Sequence, residues 1–116
     1  MEQLLQQKDN KDAALAIDIF CYQIKKYIGA YTAALSGLDI LVFSGGIGEN
    51  AYEIRTQICE DLGYLNIELN EEKNNKNERQ ISTDNSAAKV YVIPTSEELM
   101  IAKDTAQLYI TSQNNN

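Results

Sequence analysis

The sequence has no histidine and no tryptophan, and only one proline and two cysteines in 116 residues. Without histidine, the chain has no imidazole of its own for acid–base catalysis, metal binding or a serine–histidine triad. Cys21 and Cys59 lack the spacing of a zinc or redox motif, and each lies in an apolar helical pattern. We therefore predict two buried free thiols. Any chemistry that the chain supports must use backbone groups, carboxylates, hydroxyls or amides.

Positive charge is also scarce, because 10 Lys and Arg residues stand against 17 Asp and Glu residues and leave a net charge of -7. Binding to a nucleic-acid backbone needs a clustered excess of basic residues, so a nucleic-acid partner is excluded. No apolar run approaches the ~20 residues of a membrane-spanning helix, and residues 1–10 lack the features of a secretory signal. The sequence predicts a cytoplasmic protein with no membrane partner and at most one domain.

The hydrophobic pattern predicts an α/β fold. Apolar residues recur every three or four positions in three segments, which favours amphipathic helices, and two short apolar runs bounded by Gly or Pro favour buried strands. The predicted order is a helix at about 10–36, a strand at 38–43, a helix at 51–62, a strand at 89–93 and a helix at 96–111. Because a helix joins the two strands, they are expected to be parallel.

The first helix is expected to begin at Asn10, which can cap it, and to end at Gly37. Leu15 and Ile19 fall outside its main apolar stripe. Because a helix that is apolar on several sides needs several packing partners, we expect this helix to pack on more than the rest of the chain offers.

The sequence between the second helix and the second strand is mostly polar. Leu65, Ile67 and Leu69 alternate with polar residues and predict a short half-exposed strand. Residues 70–85 are rich in Asn, Glu, Lys, Ser and Asp, and are interpreted as a solvated excursion without a function, with a small edge strand near 80–82. Residues 112–116 are expected to form a polar tail.

A glycine-rich segment, SGGIGENA at 44–51, joins the first strand to the second helix, for which Asn50 is the predicted N-cap. Glycines between a strand and a helix are typical of nucleotide sites, because bare backbone can approach a phosphate or a nucleoside. A P-loop is excluded, since Glu49 and Asn50 follow Gly48 where that motif needs Lys and Ser or Thr. A purely structural alternative is a tight turn with positive φ angles.

A dinucleotide fingerprint fits the spacing, because Gly46, Gly48 and Ala51 match GxGxxA and Glu68 follows at the distance of a ribose-binding acid. Two features count against it. A long helix precedes the strand, and the Glu49 carboxylate lies where the helix dipole would attract a pyrophosphate. The other alternative is the adenosine-side loop of an actin-like ATPase, in which the phosphates are held elsewhere and reached through magnesium, which accepts carboxylate ligands.

The last predicted helix follows Pro94, with Thr95 as N-cap and Glu98 as the partner in a capping box. Glu97 and Glu98 both lie in the first turn, where acidic residues stabilise a helix through its dipole. Since Glu98 completes the capping box, Glu97 is the residue left free to face a ligand.

Four segments together resemble the acetate kinase family. They are KKYIGAY at 25–31, LDILVFSGGIGEN at 38–50, the arginine of YEIR at Arg55, and VIPTSEELMIAKDT at 92–105. The resemblance implies part of an actin-like, ribonuclease H-like ATPase domain, with residues 1–111 as the C-terminal portion of the C-terminal domain. A homodimer is also expected, because the first helix carries more apolar residues than one packing face needs. Propionate kinases are similar enough to remain an alternative.

The resemblance also implies site residues and chemistry. The loop that lies against the adenosine of ATP or ADP would consist of Gly46, Ile47, Gly48, Glu49 and Asn50. Glu97 would help to place Mg²⁺. A full-length enzyme of this kind would convert ATP and acetate to ADP and acetyl phosphate. No catalytic residue is predicted in this chain, which is therefore expected to be inactive alone; a non-catalytic nucleotide-binding or dimerisation module is the alternative from a different class.

Overall fold

The computed structural model describes residues 5–6, 10–94, 98–103 and 106–111. Its elements, after a helical fragment at 5–6, are in chain order α1 (Lys11–Leu35), β1 (Ile40–Phe43), α2 (Gly45–Asn50), α3 (Tyr52–Cys59), a 3-10 helix (Gly63–Leu65), α4 (Glu71–Asn75), β2 (Lys89–Val92), β3 (Glu98–Lys103) and β4 (Ala106–Thr111). Among the described residues, no helix is long and apolar enough to cross a membrane.

Helix α1 forms where the hydrophobic period predicted it. The Asn10 side chain caps its start by accepting hydrogen bonds from the backbone N–H groups of Asp12 and Ala13, at 2.8 and 3.3 Å. The helix ends at Leu35, where Ser36 adopts a left-handed conformation with φ of 63° and Gly37 follows with φ of 143°. The predicted cap and the predicted end are both confirmed.

The two predicted strands pair in parallel, with Ile40 beside Lys89 and Phe43 beside Val92. The ladder continues one residue further, because the Ile93 N–H donates to the Phe43 carbonyl at 2.9 Å. Three of the four residues of β1 are buried, as a strand covered on both faces requires. A single core cluster joins these strands to α1, α3 and the segment that precedes β2.

The predicted helix at 96–111 is wrong for the residues that the structure describes there. Strand β3 pairs antiparallel with β1, with Leu99 beside Phe43, and β4 pairs antiparallel with β3. The described sheet order is therefore β2-β1-β3-β4. The second edge of β1 offers a row of backbone donors and acceptors, and helix propensity is a weak local preference that such pairing overrides. The predicted N-cap Thr95, like Ser96 and Glu97, lies outside the described residues, and Glu98, the predicted capping-box partner, begins β3.

The predicted helix at 51–62 is shorter than expected and has a different start. Asn50 is not its N-cap, because the residues from Gly45 already form the short helix α2 and Ala51 takes the cap position of α3. The predicted strand at 65–69 is also wrong: residues 63–65 form a 3-10 helix, and within 65–69 only Leu69 makes a β-bridge, to Ser82. The edge strand predicted near 80–82 is reduced to isolated bridges.

Candidate functional site

The glycine loop, defined here as residues 44–51, begins where β1 ends. The carboxyl ends of β1 and β2 meet at the same edge of the sheet, since the two strands are parallel and in register from Ile40 to Phe43. In open α/β sheets this edge is where ligands bind, because the following helices begin there. The loop therefore lies at the edge of the sheet that an α/β protein uses for a nucleotide.

The three glycines of the loop have different physical reasons to be glycine. Gly45 is buried with φ of 81°, a left-handed conformation that side chains disfavour. A Cβ on Gly48 would lie 3.2 Å from the carbonyl carbon of Phe43, so α2 can approach the end of β1 only without a side chain. Gly46 is exposed, its φ is not in the left-handed region, and apart from its own helix and chain neighbours a Cβ there would meet no atom of the described residues within 4 Å. Neither packing nor backbone geometry accounts for glycine at this third position.

The acidic and amide side chains of the loop fold back onto it. The Glu49 carboxylate accepts a hydrogen bond from the Gly45 N–H at 3.0 Å, which is one of the N–H groups that a helix start leaves without an intrahelical partner. The Asn50 amide donates to the Gly46 carbonyl at 3.1 Å. Ile47 is half-buried against the core. The five predicted nucleotide-binding residues thus form one continuous surface element with its own internal hydrogen bonds.

The structure argues against a dinucleotide fingerprint. The Glu49 carboxylate already binds the start of the glycine-rich helix, where a pyrophosphate would have to lie. Glu68, the expected ribose-binding acid, does not end a strand beside β1; it is exposed, its carboxylate accepts from the Thr83 hydroxyl at 2.6 Å, and the parallel neighbour of β1 is β2. The spacing of GxGxxA was therefore coincidental.

Arg55 is the residue whose place in this site the sequence did not indicate. Its side chain is 0% exposed, and its guanidinium donates to the Gly48 carbonyl at 2.8 Å and to the Asn74 side-chain oxygen at 2.6 Å. It also donates to the Asn74 carbonyl at 2.7 Å and to the Asn77 side chain. The sequence does contain an indication that Arg55 is buried. Arg55 and Cys59 are four residues apart, so they share one face of α3, and Cys59 is buried as well.

The interpretation of residues 70–85 as a solvated excursion is wrong for part of its length. Asn74 is 0% exposed, and its amide donates to the Tyr52 carbonyl at 3.1 Å and to the Thr56 hydroxyl at 2.8 Å. Ile81 and Ser82 are buried as well. The segment covers α3 and reaches the glycine loop through Arg55, so it belongs to the support of the site.

The remaining sequence-derived candidates divide into two groups. Glu97, the expected magnesium-placing residue, lies outside the described residues. Cys21 and Cys59 are buried free thiols, as predicted. Burial raises the pKa of Cys21 from 9.0 to about 11 and that of Cys59 from 9.0 to about 12. Thiols with such pKa values stay protonated at neutral pH, so neither is a nucleophile.

The comparisons with known proteins agree with this geometry. The chain belongs to the acetokinase family, whose family model matches residues 1–103. It is 52% identical to the acetate kinase of Halothermothrix orenii over 101 residues, which cover 85% of this chain and 25% of that protein. The chain thus spans about a quarter of the length of the curated relatives it matches.

Two solved structures show the same likeness. An acetate kinase from Porphyromonas gingivalis superposes with a TM-score of 0.71 at 40% identity, over 78% of this chain and 23% of that one. A propionate kinase from Francisella tularensis superposes with a TM-score of 0.71 at 39% identity, over 79% and 24% of the respective chains. The family expected from the four sequence segments is confirmed, together with an α/β architecture of the actin-like ATPase type.

Proposed function

We propose that this chain forms the nucleotide-facing side of a kinase that catalyses ATP + acetate = ADP + acetyl phosphate. Membership of the acetokinase family supports this activity. The observation that carries the proposal is Gly46, an exposed glycine whose missing side chain serves neither the packing nor the backbone conformation of the chain. A position of this kind is explained when a ligand must lie against bare backbone.

In this proposal, residues Gly46 to Asn50 lie against the adenosine of ATP or ADP. Gly45 and Gly48 set the path of the backbone, and Gly46 gives the nucleoside room. The Glu49 carboxylate stays on the Gly45 N–H, so it stabilises the helix start and does not face the phosphates. Negative phosphate groups are then directed away from the loop, which suits an adenosine contact better than a phosphate cradle.

Glu97 is proposed to help place magnesium, whose preferred ligands are carboxylate and phosphate oxygens. When bound, the ion neutralises negative charge on the phosphates during transfer. Within the residues that the structure describes, no three His, Cys, Asp or Glu side chains form a metal cluster. Proteins usually bind Mg²⁺ through one or two carboxylates together with the substrate phosphates, and Glu97 is proposed as such a carboxylate.

Residues that bind acetate or stabilise the transferring phosphoryl group are proposed to lie in segments that correspond to the rest of the longer relatives. Acetate is proposed as the substrate because the curated relatives at 52% and 55% identity are acetate kinases; propionate stays the alternative, since a solved acetate kinase and a solved propionate kinase share 40% and 39% identity with this chain. A cytoplasmic location remains part of the proposal. The chain alone is expected to bind nucleotide without forming acetyl phosphate.

The experiment that tests this function compares ligands by calorimetry on the purified chain. Mg–ADP is expected to bind and to raise the unfolding temperature, whereas NADH is expected to do neither. Gly46→Leu, which adds a side chain in open space, is expected to abolish the Mg–ADP effect without lowering stability. Stabilisation by NADH but not by Mg–ADP would contradict the proposal, and acetyl phosphate formation by the chain alone would contradict the assignment of catalysis to other segments.

A homodimer is proposed from the exposed face of α1. Leu15, Ile19 and Tyr22 are 57%, 52% and 61% exposed, and their spacing places them on one side of the helix. This confirms that α1 carries more apolar surface than the described residues cover, and such surface is typical of an interface. Sedimentation of the chain is expected to show a dimer, and a clean monomer would contradict this part of the proposal.

A further inference from the structure

Arg55 is a buried cation whose hydrogen bonds go to neutral acceptors, although the partly buried Glu53 carboxylate lies near enough to favour its charged form. Its guanidinium donates four hydrogen bonds, and every acceptor is a neutral carbonyl or amide oxygen, from Gly48, Asn74 and Asn77. Among the described residues, both salt bridges involve lysines elsewhere. Burial lowers the pKa of Arg55 from 12.5 to about 10, and the side chain remains protonated at neutral pH.

Such an arrangement is unfavourable as a source of stability alone. Taking a charged group out of water costs several kcal/mol, and well-packed apolar residues of similar volume are often as stable as a buried charge. The planar guanidinium, however, fixes several acceptors in one rigid geometry, which an apolar side chain cannot do. The question is therefore which parts of the chain the Arg55 guanidinium holds in place.

The guanidinium holds the glycine loop against the segment at 70–77. On one side it binds the Gly48 carbonyl, within the six-residue helix α2, which is too short to be stable by itself. On the other side it binds Asn74 and Asn77, and Asn77 presents its side chain from a left-handed backbone with φ of 54°. Asn74 is itself fixed, because its amide donates to Tyr52 and Thr56 on α3.

We propose that Arg55 is the positioning residue of the nucleotide-facing loop, and that Asn74 and Asn77 set its orientation. The segment at 70–77 is then part of the nucleotide site although it does not touch the ligand. This inference rests on the proposed function of Gly46 to Asn50, and its own content is that the conformation of the loop depends on the Arg55 hydrogen bonds.

The test uses three variants of the chain. Arg55→Lys keeps the charge and removes the planar fork. Asn77→Gly keeps a backbone that tolerates positive φ and removes one acceptor at an exposed position. Ile28→Val is the control, because it loosens a fully buried core position on α1 at which no nucleotide contact is proposed. Two readouts are compared, amide hydrogen exchange at 45–50 without ligand and the Kd for Mg–ADP.

Arg55→Lys is expected to speed exchange at 45–50 by about tenfold more than exchange in α1, as loss of one charged hydrogen bond implies, and to raise the Kd for Mg–ADP by about tenfold. Asn77→Gly is expected to shift both readouts in the same direction by a smaller factor. Ile28→Val is expected to change exchange throughout the core without a selective effect on the loop or on the Kd.

Each other outcome overturns the inference. Unchanged exchange at 45–50 in both Arg55→Lys and Asn77→Gly would show that the loop does not depend on the guanidinium. Exchange that rises evenly over the whole chain, as in the control, would show a purely structural role, and faster loop exchange with an unchanged Kd would separate the loop geometry from nucleotide binding. If the unmodified chain binds no Mg–ADP, the proposed function fails, while loop exchange still decides whether Arg55 positions the loop.

Discussion

The glycine loop at 44–51 and the polar segment at 70–85 support the same candidate site, but they owe their conformations to different causes. The loop follows from its own residues, since Gly45 requires a left-handed backbone and Gly48 a close approach to Phe43. The polar segment follows from residues far along the chain, since the buried Asn74 is held by groups of α3, among them Arg55, 19 positions earlier. Local signals therefore reveal the part that faces the ligand, and long-range burial creates the part that supports it.

The largest change in unfolding free energy is expected from Asn74→Ala, which tests the part of the site that depends on long-range contacts. The substitution removes the acceptor of the Arg55 Nε–H group and the donor to the Tyr52 carbonyl in a buried layer. The unfolding free energy is expected to fall by about 3 kcal/mol, because buried donors of a charged group lose their acceptor. Urea unfolding followed by circular dichroism measures it.

Asn75→Ala is the matched control, because Asn75 is the exposed neighbour on the same helix. It is expected to change the unfolding free energy by no more than about 0.5 kcal/mol. Equal stability of the two variants would mean that the polar segment is a solvated surface after all.

A smaller loss of stability is expected from Gly48→Ala, which tests the glycine loop, the part whose conformation follows from its own residues. The added Cβ would lie 3.2 Å from the backbone of Phe43. Forcing α2 away from β1 is expected to destabilise the chain by about 1 to 2 kcal/mol, since overpacking strains the backbone. Gly63→Ala is the control, because a Cβ there meets nothing within 4 Å, and thermal unfolding that does not separate the two variants would contradict the close approach.

A further effect depends on pH and concerns Cys59, which lies one helical turn from Arg55 in the same buried layer. Burial raises its pKa from 9.0 to about 12, so the folded chain keeps a proton that the unfolded chain loses above pH 9. The stability due to this thiol is therefore complete below pH 9 and is lost as the pH rises toward 12. The difference in unfolding free energy between the unmodified chain and Cys59→Ala is expected to narrow over that range.

The control for this titration is Ile58→Val, a buried position on the same helix without a titrating group. Its difference from the unmodified chain is expected to stay constant over the same pH range. If the difference in unfolding free energy between the unmodified chain and Cys59→Ala is also independent of pH, water reaches the thiol in the folded chain.

Much of the fold was predictable because its signals are local. The period of α1, the Asn10 cap and the apolar runs of β1 and β2 each reflect neighbouring residues, and the parallel pairing follows from the helix between the strands. The same holds for the glycine loop as a candidate site. Its assignment to adenosine depended on the family resemblance, because spacing alone also fitted a dinucleotide fingerprint.

The elements that were missed depend on partners distant in sequence. The capping-box pattern after Pro94 is a local preference for helix, but the open edge of β1 pairs with the described residues from Glu98 onward. Asparagine is usually a surface residue, and the burial of Asn74 is favourable because Arg55, Tyr52 and Thr56 on α3 satisfy its polar groups. Sequence patterns within ten or fifteen residues contain neither piece of information.

The central claim is that ligand binding, and not folding, requires a residue without a side chain at position 46. Gly46→Ala tests this claim most directly. Alanine is the better helix former, and beyond its own helix its Cβ meets none of the residues that the structure describes within 4 Å, so the unfolding free energy is expected to stay equal or to rise by up to about 1 kcal/mol. Calorimetry is expected to show weaker binding of Mg–ADP by the same variant. Unchanged affinity in a chain that is equally or more stable would contradict the account.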